Sequence, residues 1–296
     1  MNTPAAPGPG RCAGPVRQTR QPLFKMPANA CDCHAHVFGP EQRYPFSPER
    51  SYTPEDCTVE QYAALLDTLG IGRCVLVQGG PHGTDNRVTL DAIAHLGRRA
   101  RGVAVIRPGL GAAALQALHD GGMRGCRLST VVRGGAGFEH LEALAAETRP
   151  LRWHLVLHLR DSAELCALAP LLRAIDNPFV IDHLGHVTGD EGLAAPALHT
   201  LLSLLDTGRC WVKLASLYRS SSQAYPHADM LPLIHRVLQA RPDRVIWGTN
   251  WPHPIYAGAM PNDGDLVDLI ALWAPGADLQ QQMLVDNPAR LYGFDD

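Results

Sequence analysis

Four histidines and one amide stand out by type and place: His34, His36, His158, His183 and Asn250. His34 and His36 are two residues apart, so on one strand both rings face the same side. His158 lies in the apolar run 153–159, His183 ends the run 179–183, and Asn250 follows Val245-Ile246. Imidazoles exchange protons near neutral pH, hold divalent metals or polarise a carbonyl. Asn250 sits within Trp247-Gly248-Thr249-Asn250-Trp251-Pro252-His253-Pro254. There Gly248 weakens a strand, and neither proline can donate to a ladder, so the strand must stop. A single strand-borne histidine is more often a packed core residue. Four of them with an amide, all at carboxyl ends of strands, point to a site.

Arginines form a second set. Arg127 lies inside the apolar Cys126-Arg127-Leu128, Arg133 follows in the next loop, and Arg219 follows the run 210–215. Surface arginines are ordinary. A guanidinium inside an apolar strand needs an anionic partner, and its fork matches a carboxylate bidentately. Several around one mouth suggest a substrate with more than one carboxylate.

These residues need a frame. Apolar, β-branched runs at 30–36, 73–78, 102–106, 125–129, 153–159, 179–183, 210–215 and 245–250 read as eight strands. Between them, 58–69, 86–96, 112–120, 139–148, 162–175, 193–205 and 231–240 have apolar residues at helical spacing. Strand–helix alternation of this length predicts an α/β fold, a (β/α)8 TIM barrel, ahead of an open doubly wound sheet, because no Gly-rich dinucleotide fingerprint follows the first strand. Stretches 265–273, 278–285 and 288–291 read as terminal helices closing the barrel. Residues 38–54 are too long for an ordinary connection, with four prolines and Tyr52, and suggest a binding loop or lid. The expected organisation is a disordered Pro/Gly/Arg-rich tail over 1–25 and one catalytic barrel over 26–296.

Composition narrows the function classes. With 296 residues and 46% apolar content the chain can bury a large core. A net charge of −3 argues against nucleic acid. No apolar run approaches a membrane span, and 1–25 lacks the apolar segment of a signal peptide. The eight cysteines show one close pair, Cys31 and Cys33, with the rest lying singly, several of them in apolar runs. That favours buried free thiols and a cytoplasmic protein.

Longer motifs then carry a resemblance. Asp32-Cys33-His34-Ala35-His36-Val37-Phe38-Gly39-Pro40, Tyr44-Pro45-Phe46 and Arg50-Ser51-Tyr52-Thr53-Pro54 open the series. Val77-Gln78, His82-Gly83-Thr84-Asp85-Asn86, Asp182-His183-Leu184-Gly185, Trp247–Pro254 and Asp286-Asn287-Pro288-Ala289-Arg290-Leu291-Tyr292 continue it. Together they resemble the 2-pyrone-4,6-dicarboxylate hydrolases, lactonases of the amidohydrolase superfamily. The resemblance implies a distorted TIM barrel that opens a cyclic ester. In that family an aspartate at the position of Asn250 acts as general base. Histidines matching His34, His36 and His183 polarise the substrate carbonyl. Arginines matching Arg127, Arg133 and Arg219, with a tyrosine matching Tyr52, hold its carboxylates. Gln78 and His253, within shared motifs, join the expected substrate-binding set with His158.

Two departures matter. An amide has no useful basicity, so Asn250 cannot take a proton from water. His183, His34 or His36 would then serve as base, with Asn250 orienting water or donating to an oxyanion. At His158 the pyrone-dicarboxylate enzymes carry a tyrosine, which leaves the lactone unnamed. The branch works without metal, although most of the superfamily uses divalent ions. His34, His36, His158 and His183 are the candidate ligands for a single Zn²⁺ or Mn²⁺. The expectation is a cofactor-free hydrolase acting on a small anionic lactone, with no nucleic-acid or membrane partner and a homo-oligomer left open. A mononuclear metal-dependent hydrolase or decarboxylase is one alternative, and a dicarboxylate-binding protein that has lost its base is another.

Overall fold

A computed structural model describes residues 9–294. Eight parallel strands run in sequence order around one sheet: β1 (Cys31–Ala35), β2 (Arg73–Val77), β3 (Ala100–Ala104), β4 (Met123–Ser129), β5 (His154–His158), β6 (Phe179–Ile181), β7 (Cys210–Leu214) and β8 (Val245–Trp247). The segment beyond β8 returns to β1. Asn250 donates its backbone N–H to the His34 carbonyl at 2.7 Å, and His36 donates to the Trp251 carbonyl at 2.8 Å. The result is a nearly closed (β/α)8 barrel.

Helices α1 (Val59–Leu69), α2 (Arg87–Leu96), α3 (Ala112–Asp120), α4 (Leu141–Thr148), α5 (Ser162–Ala174), α6 (Pro196–Leu205) and α7 (Leu231–Ala240) link successive strands. Their apolar faces, such as Leu65, Leu66 and Leu69 of α1, pack on outward strand residues in one large core. A second core fills the barrel: Cys31, Cys33, Val75, Val77, Val103, Val156, Val180, Trp211 and Ile246, plugged by Tyr292 and Phe294. Fully burying each large apolar side chain contributes about 1.5–3 kcal/mol. With both strand faces covered, the strands read as continuous apolar runs rather than alternating ones. A polar side chain in such a run therefore marks a site.

Three sequence expectations change. Strands β6 and β8 stop at Ile181 and Trp247, short of 183 and 250, because His183 and Asn250 have φ of 55° and 66°, which no strand can hold. The expected helix 265–273 is two short helices, α8 (Asp263–Asp268) and α9 (Ile270–Trp273), while 278–285 becomes α10 (Ala277–Gln281) followed by a π turn, before α11 (Asn287–Tyr292). The expected tail is only partly visible: 1–8 lie outside the described residues, whereas 9–25 are held by specific contacts. Cys12 bonds the Thr53 carbonyl, and Arg20 pairs with Asp265 and Asp268 of α8. Among the described residues no helix is long and apolar enough to cross a membrane, and all eight cysteines are free thiols.

Candidate active site

An irregularity in β1 sets the site. Asp32 pairs with Cys74 but Ala35 pairs with Leu76, so β1 spends one more residue than β2 over that interval. This bulge lets Cys31 and Cys33 join the barrel interior while His34 and His36 also turn inward. Asp32 and Ala35 face outward instead. Asp32 accepts hydrogen bonds from Tyr62 of α1, from the Thr249 hydroxyl and from the backbone N–H groups of His34 and Thr249. That carboxylate thus ties the β1 bulge to the end of β8. Gly248 completes the joint: a Cβ there would lie 2.7 Å from the His34 backbone nitrogen.

At the carboxyl ends, His34, His36, His183, His158 and His186 form one cluster with ring centroids 4.9–6.0 Å apart between neighbours. Their partners fix which nitrogen carries the proton. The Val77 carbonyl lies 2.7 Å from His36 Nδ1 and the Ala215 carbonyl 3.1 Å from His183 Nδ1. Both must be Nδ1–H donors, which leaves Nε2 a bare acceptor. His158 is the reverse. The Ser129 hydroxyl accepts from the Val131 and Val132 N–H groups, so its own proton goes to His158 Nδ1 at 3.0 Å and His158 Nε2–H is a donor. His34 Nδ1 lies 3.1 Å from the Lys213 ammonium and 3.5 Å from Asp182 Oδ1, so this nitrogen sits between the two members of an ion pair. Burial pushes the imidazoles of His34, His158 and His183 well below their ordinary value and His36 down to about 3. All are neutral near neutral pH.

Beneath the imidazoles lies a charge cluster. Lys213 Nζ is 2.9 Å from Asp182 Oδ1, both side chains being fully buried. Arg127 reaches Asp182 Oδ2 at 3.8 Å. Burial alone would raise the Asp182 carboxyl, but Lys213 and then His34 hold it well below the usual carboxylate range. Asp182 is the anionic partner that Arg127 needs.

Above them is a cavity of about 120 Å³ lined by His36, Tyr52, Arg127, His158, His183, His186, Arg219 and Asn250. Arg219 is anchored by a bond from its guanidinium to the Pro254 carbonyl at 2.7 Å. Behind Asn250, its Nδ2 contacts the Tyr218 hydroxyl at 3.3 Å, and that hydroxyl contacts His253 Nδ1 at 2.9 Å. His253 Nε2 in turn lies 3.2 Å from Asp263 Oδ1.

Of the expected residues, the structure brings together His36, His158, His183, Asn250, Tyr52, Arg127 and Arg219 at the cavity, with His34 just below. It does not bring Gln78 there. The Gln78 amide is spent on the Asp85 carbonyl and the Thr89 hydroxyl, which pins the loop after β2. Arg133 is exposed beside a narrow adjoining recess, because the Ser129 turn aims Val131 and Val132 at the cavity instead. His253 is fully buried behind Asn250. Sequence reasoning missed Asp182, Lys213, Tyr218, His186 and Asp263. Lys213 had a signal: it interrupts the apolar Cys210-Trp211-Val212-Lys213-Leu214 just as Arg127 interrupts β4.

Donor atoms of His34, Asp182 and His183 lie within 4.8 Å of one another, a spacing that would suit a metal. The donors do not fit one. Lys213 stands among them, already bound to Asp182 and His34, and a divalent ion there would face an adjacent ammonium.

The amidohydrolase family model matches residues 31–294. The chain is 40% identical to 2-pyrone-4,6-dicarboxylate hydrolase of Comamonas testosteroni, over 92% of each chain. It is 37% identical to 4-sulfomuconolactone hydrolase of Rhizobium radiobacter, over 95% of this chain and 96% of that one. Among solved structures, a protein of Acinetobacter baumannii with citric acid bound is 26% identical, with a TM-score of 0.77 over 90% of this chain and all of the other. One from Agrobacterium tumefaciens is 29% identical with a TM-score of 0.81, over 93% and 99%. The chain belongs to the amidohydrolase family.

Proposed function

We propose that the protein hydrolyses a small lactone bearing more than one acidic group, by attack of water on the ring ester and without a metal ion. The observation that carries this reading is the convergence of Arg127, Arg219 and Tyr52 on the cavity that His158 and Asn250 also line. The guanidinium groups grip the acidic substituents. Developing negative charge on the carbonyl oxygen is met by donors, the Arg127 guanidinium and His158 Nε2–H. His36 and His183 present acceptors, so they do not polarise a carbonyl by donation. Asn250 orients the attacking water. The names of the two relatives, both hydrolases of acidic lactones, support the class, as does citric acid, a tricarboxylate, in the Acinetobacter structure. The free thiols support a cytoplasmic location.

The test is a panel of 2-pyrone-4,6-dicarboxylate, 4-sulfomuconolactone and an uncharged lactone, followed by ultraviolet absorbance. The acidic lactones should open at least about 100-fold faster, since each charged hydrogen bond contributes roughly 1.5–3 kcal/mol. Silence across the panel overturns the reading. A second reading, a mononuclear metal hydrolase, is favoured by the spacing of His34, Asp182 and His183. Metal analysis of protein purified without added ions separates the two: stoichiometric zinc or manganese selects the second.

A further inference from the structure

We infer that Asp263, His253 and Tyr218 form a buried proton relay that ends on Asn250 and supplies the base function an amide lacks. This rests on the lactone-hydrolysis reading above. Three separate elements converge to build it: Tyr218 follows β7, His253 follows β8, and Asp263 opens α8. The contacts run Asp263 Oδ1 to His253 Nε2 at 3.2 Å, His253 Nδ1 to Tyr218 Oη at 2.9 Å, and Tyr218 Oη to Asn250 Nδ2 at 3.3 Å. Asp263, His253 and Tyr218 are 1%, 0% and 6% exposed, so water cannot substitute for any link. A buried Asp–His pair behind a hydroxyl is the arrangement that activates a hydroxyl. Here the hydroxyl is a phenol, and it faces the wall residue rather than the cavity.

Electrostatics agree with the geometry. Tyr218 is faced by His253, by Arg219, whose guanidinium is 5.6 Å from its ring, and by the Tyr256 ring at 4.8 Å. Burial raises the phenol, but His253, Arg219 and the Asn250 hydrogen bond outweigh it and hold Tyr218 below its ordinary value. His253 is faced by Tyr218 and Asp263. Burial lowers the imidazole, but these two anionic partners carry it up to about 9. Both shifts favour the charged form of each group across this contact. The cavity imidazoles cannot compete for the role, because burial leaves His36 at about 3 and His183 well below its ordinary value.

With Nδ2 committed to Tyr218, Asn250 offers its Oδ1 to a water in the cavity. As the water oxygen bonds to the lactone carbonyl carbon, its proton passes to Oδ1 while Nδ2 gives one proton to the phenolate. When the tetrahedral intermediate collapses, the ring C–O bond breaks. The same path in reverse returns the proton to the departing oxygen and restores phenolate and amide.

The experiment compares wild type, Tyr218→Phe and the double variant Tyr218→Phe/Asn250→Asp with an acidic lactone, alongside near-ultraviolet titration of tyrosinate. Tyr218→Phe should lower kcat by about 100- to 10,000-fold, the span of general base catalysis, with KM nearly unchanged. The double variant should recover most of that loss, because a carboxylate at 250 accepts the proton itself. Wild type should show one tyrosinate forming below the ordinary tyrosine range, and Tyr218→Phe should lack it. Full activity in Tyr218→Phe, a double variant as slow as the single one, or no early tyrosinate would overturn the relay. A wild type that opens no lactone refutes the proposed function, and the tyrosinate titration then decides the relay alone.

Discussion

Lys213 is the residue on which the buried charges balance. Its ammonium is the nearest compensation for the Asp182 carboxylate, with Arg127 nearly an ångström farther away. Lys213→Met keeps the bulk and removes the charge, so it leaves that carboxylate stranded. Denaturant unfolding should show a loss of about 3–5 kcal/mol, the usual penalty for breaking a buried pair from one side. The pH dependence follows from the depressed Asp182 carboxyl. In the unfolded chain it takes a proton near 3.8. In the folded protein it stays ionised to lower pH. The stability it contributes is therefore present above pH 3.8 and drains away as pH falls toward the folded value. Acid titration of wild type should show this decline, and Lys213→Met should flatten it. At this scale much was legible. Four histidines at three strand ends, an arginine inside a strand and an amide where the family keeps a carboxylate all announce themselves by type. Tyr218 and Asp263 did not, since neither a tyrosine after a strand nor an aspartate at a helix start is unusual. Only the folded chain puts them in line.

At the scale of elements, the joint between β1 and β8 decides where the chemistry sits. Gly248 passes so close to His34 that an added methyl must displace backbone. Gly248→Ala should cost about 1–3 kcal/mol, as overpacking does, and should slow turnover more than the stability loss explains, because Asn250 moves with the segment. Thermal unfolding and kcat measured on the same preparation check both. All eight strands and their order were legible because a run buried on both faces can hardly hide. The bulge in β1 was not. Hydrophobic pattern assigns Cys31 and Cys33 to the interior, and simple alternation would then send His34 and His36 outward. The extra residue between Asp32 and Ala35 reconciles the two, and nothing in residue type announces it. Turn ends were equally opaque: His183, Leu184 and Gly185 all take positive φ, a run of left-handed backbone that no propensity foretells.

Over the whole molecule, the chemistry gathers at one rim of the barrel while the opposite end is plugged by Tyr292 and Phe294. The N-terminal segment shows how composition misleads at this scale. Its Pro/Gly/Arg content reads as unstructured chain, yet Arg20 reaches Asp265 and Asp268, and Gln18 bonds Asn262 at the cap of α8. A segment with no core of its own can still be ordered by a few charged contacts to a folded neighbour. That neighbour is the helix whose first residue is Asp263, so the chain's beginning braces the far end of the relay.

The buried ammonium of Lys213 has one more consequence. An ion borrowed from solution must be acquired, can be exchanged for a wrong one, and can be stripped away by a stronger scavenger. A charge carried on a covalent side chain is delivered when the polypeptide folds and cannot dissociate. Prolonged dialysis against EDTA, or incubation with excess zinc, should therefore leave the turnover rate where it began. A rate that decays under chelation and returns with added metal would show that the lysine is not the cation this site depends on.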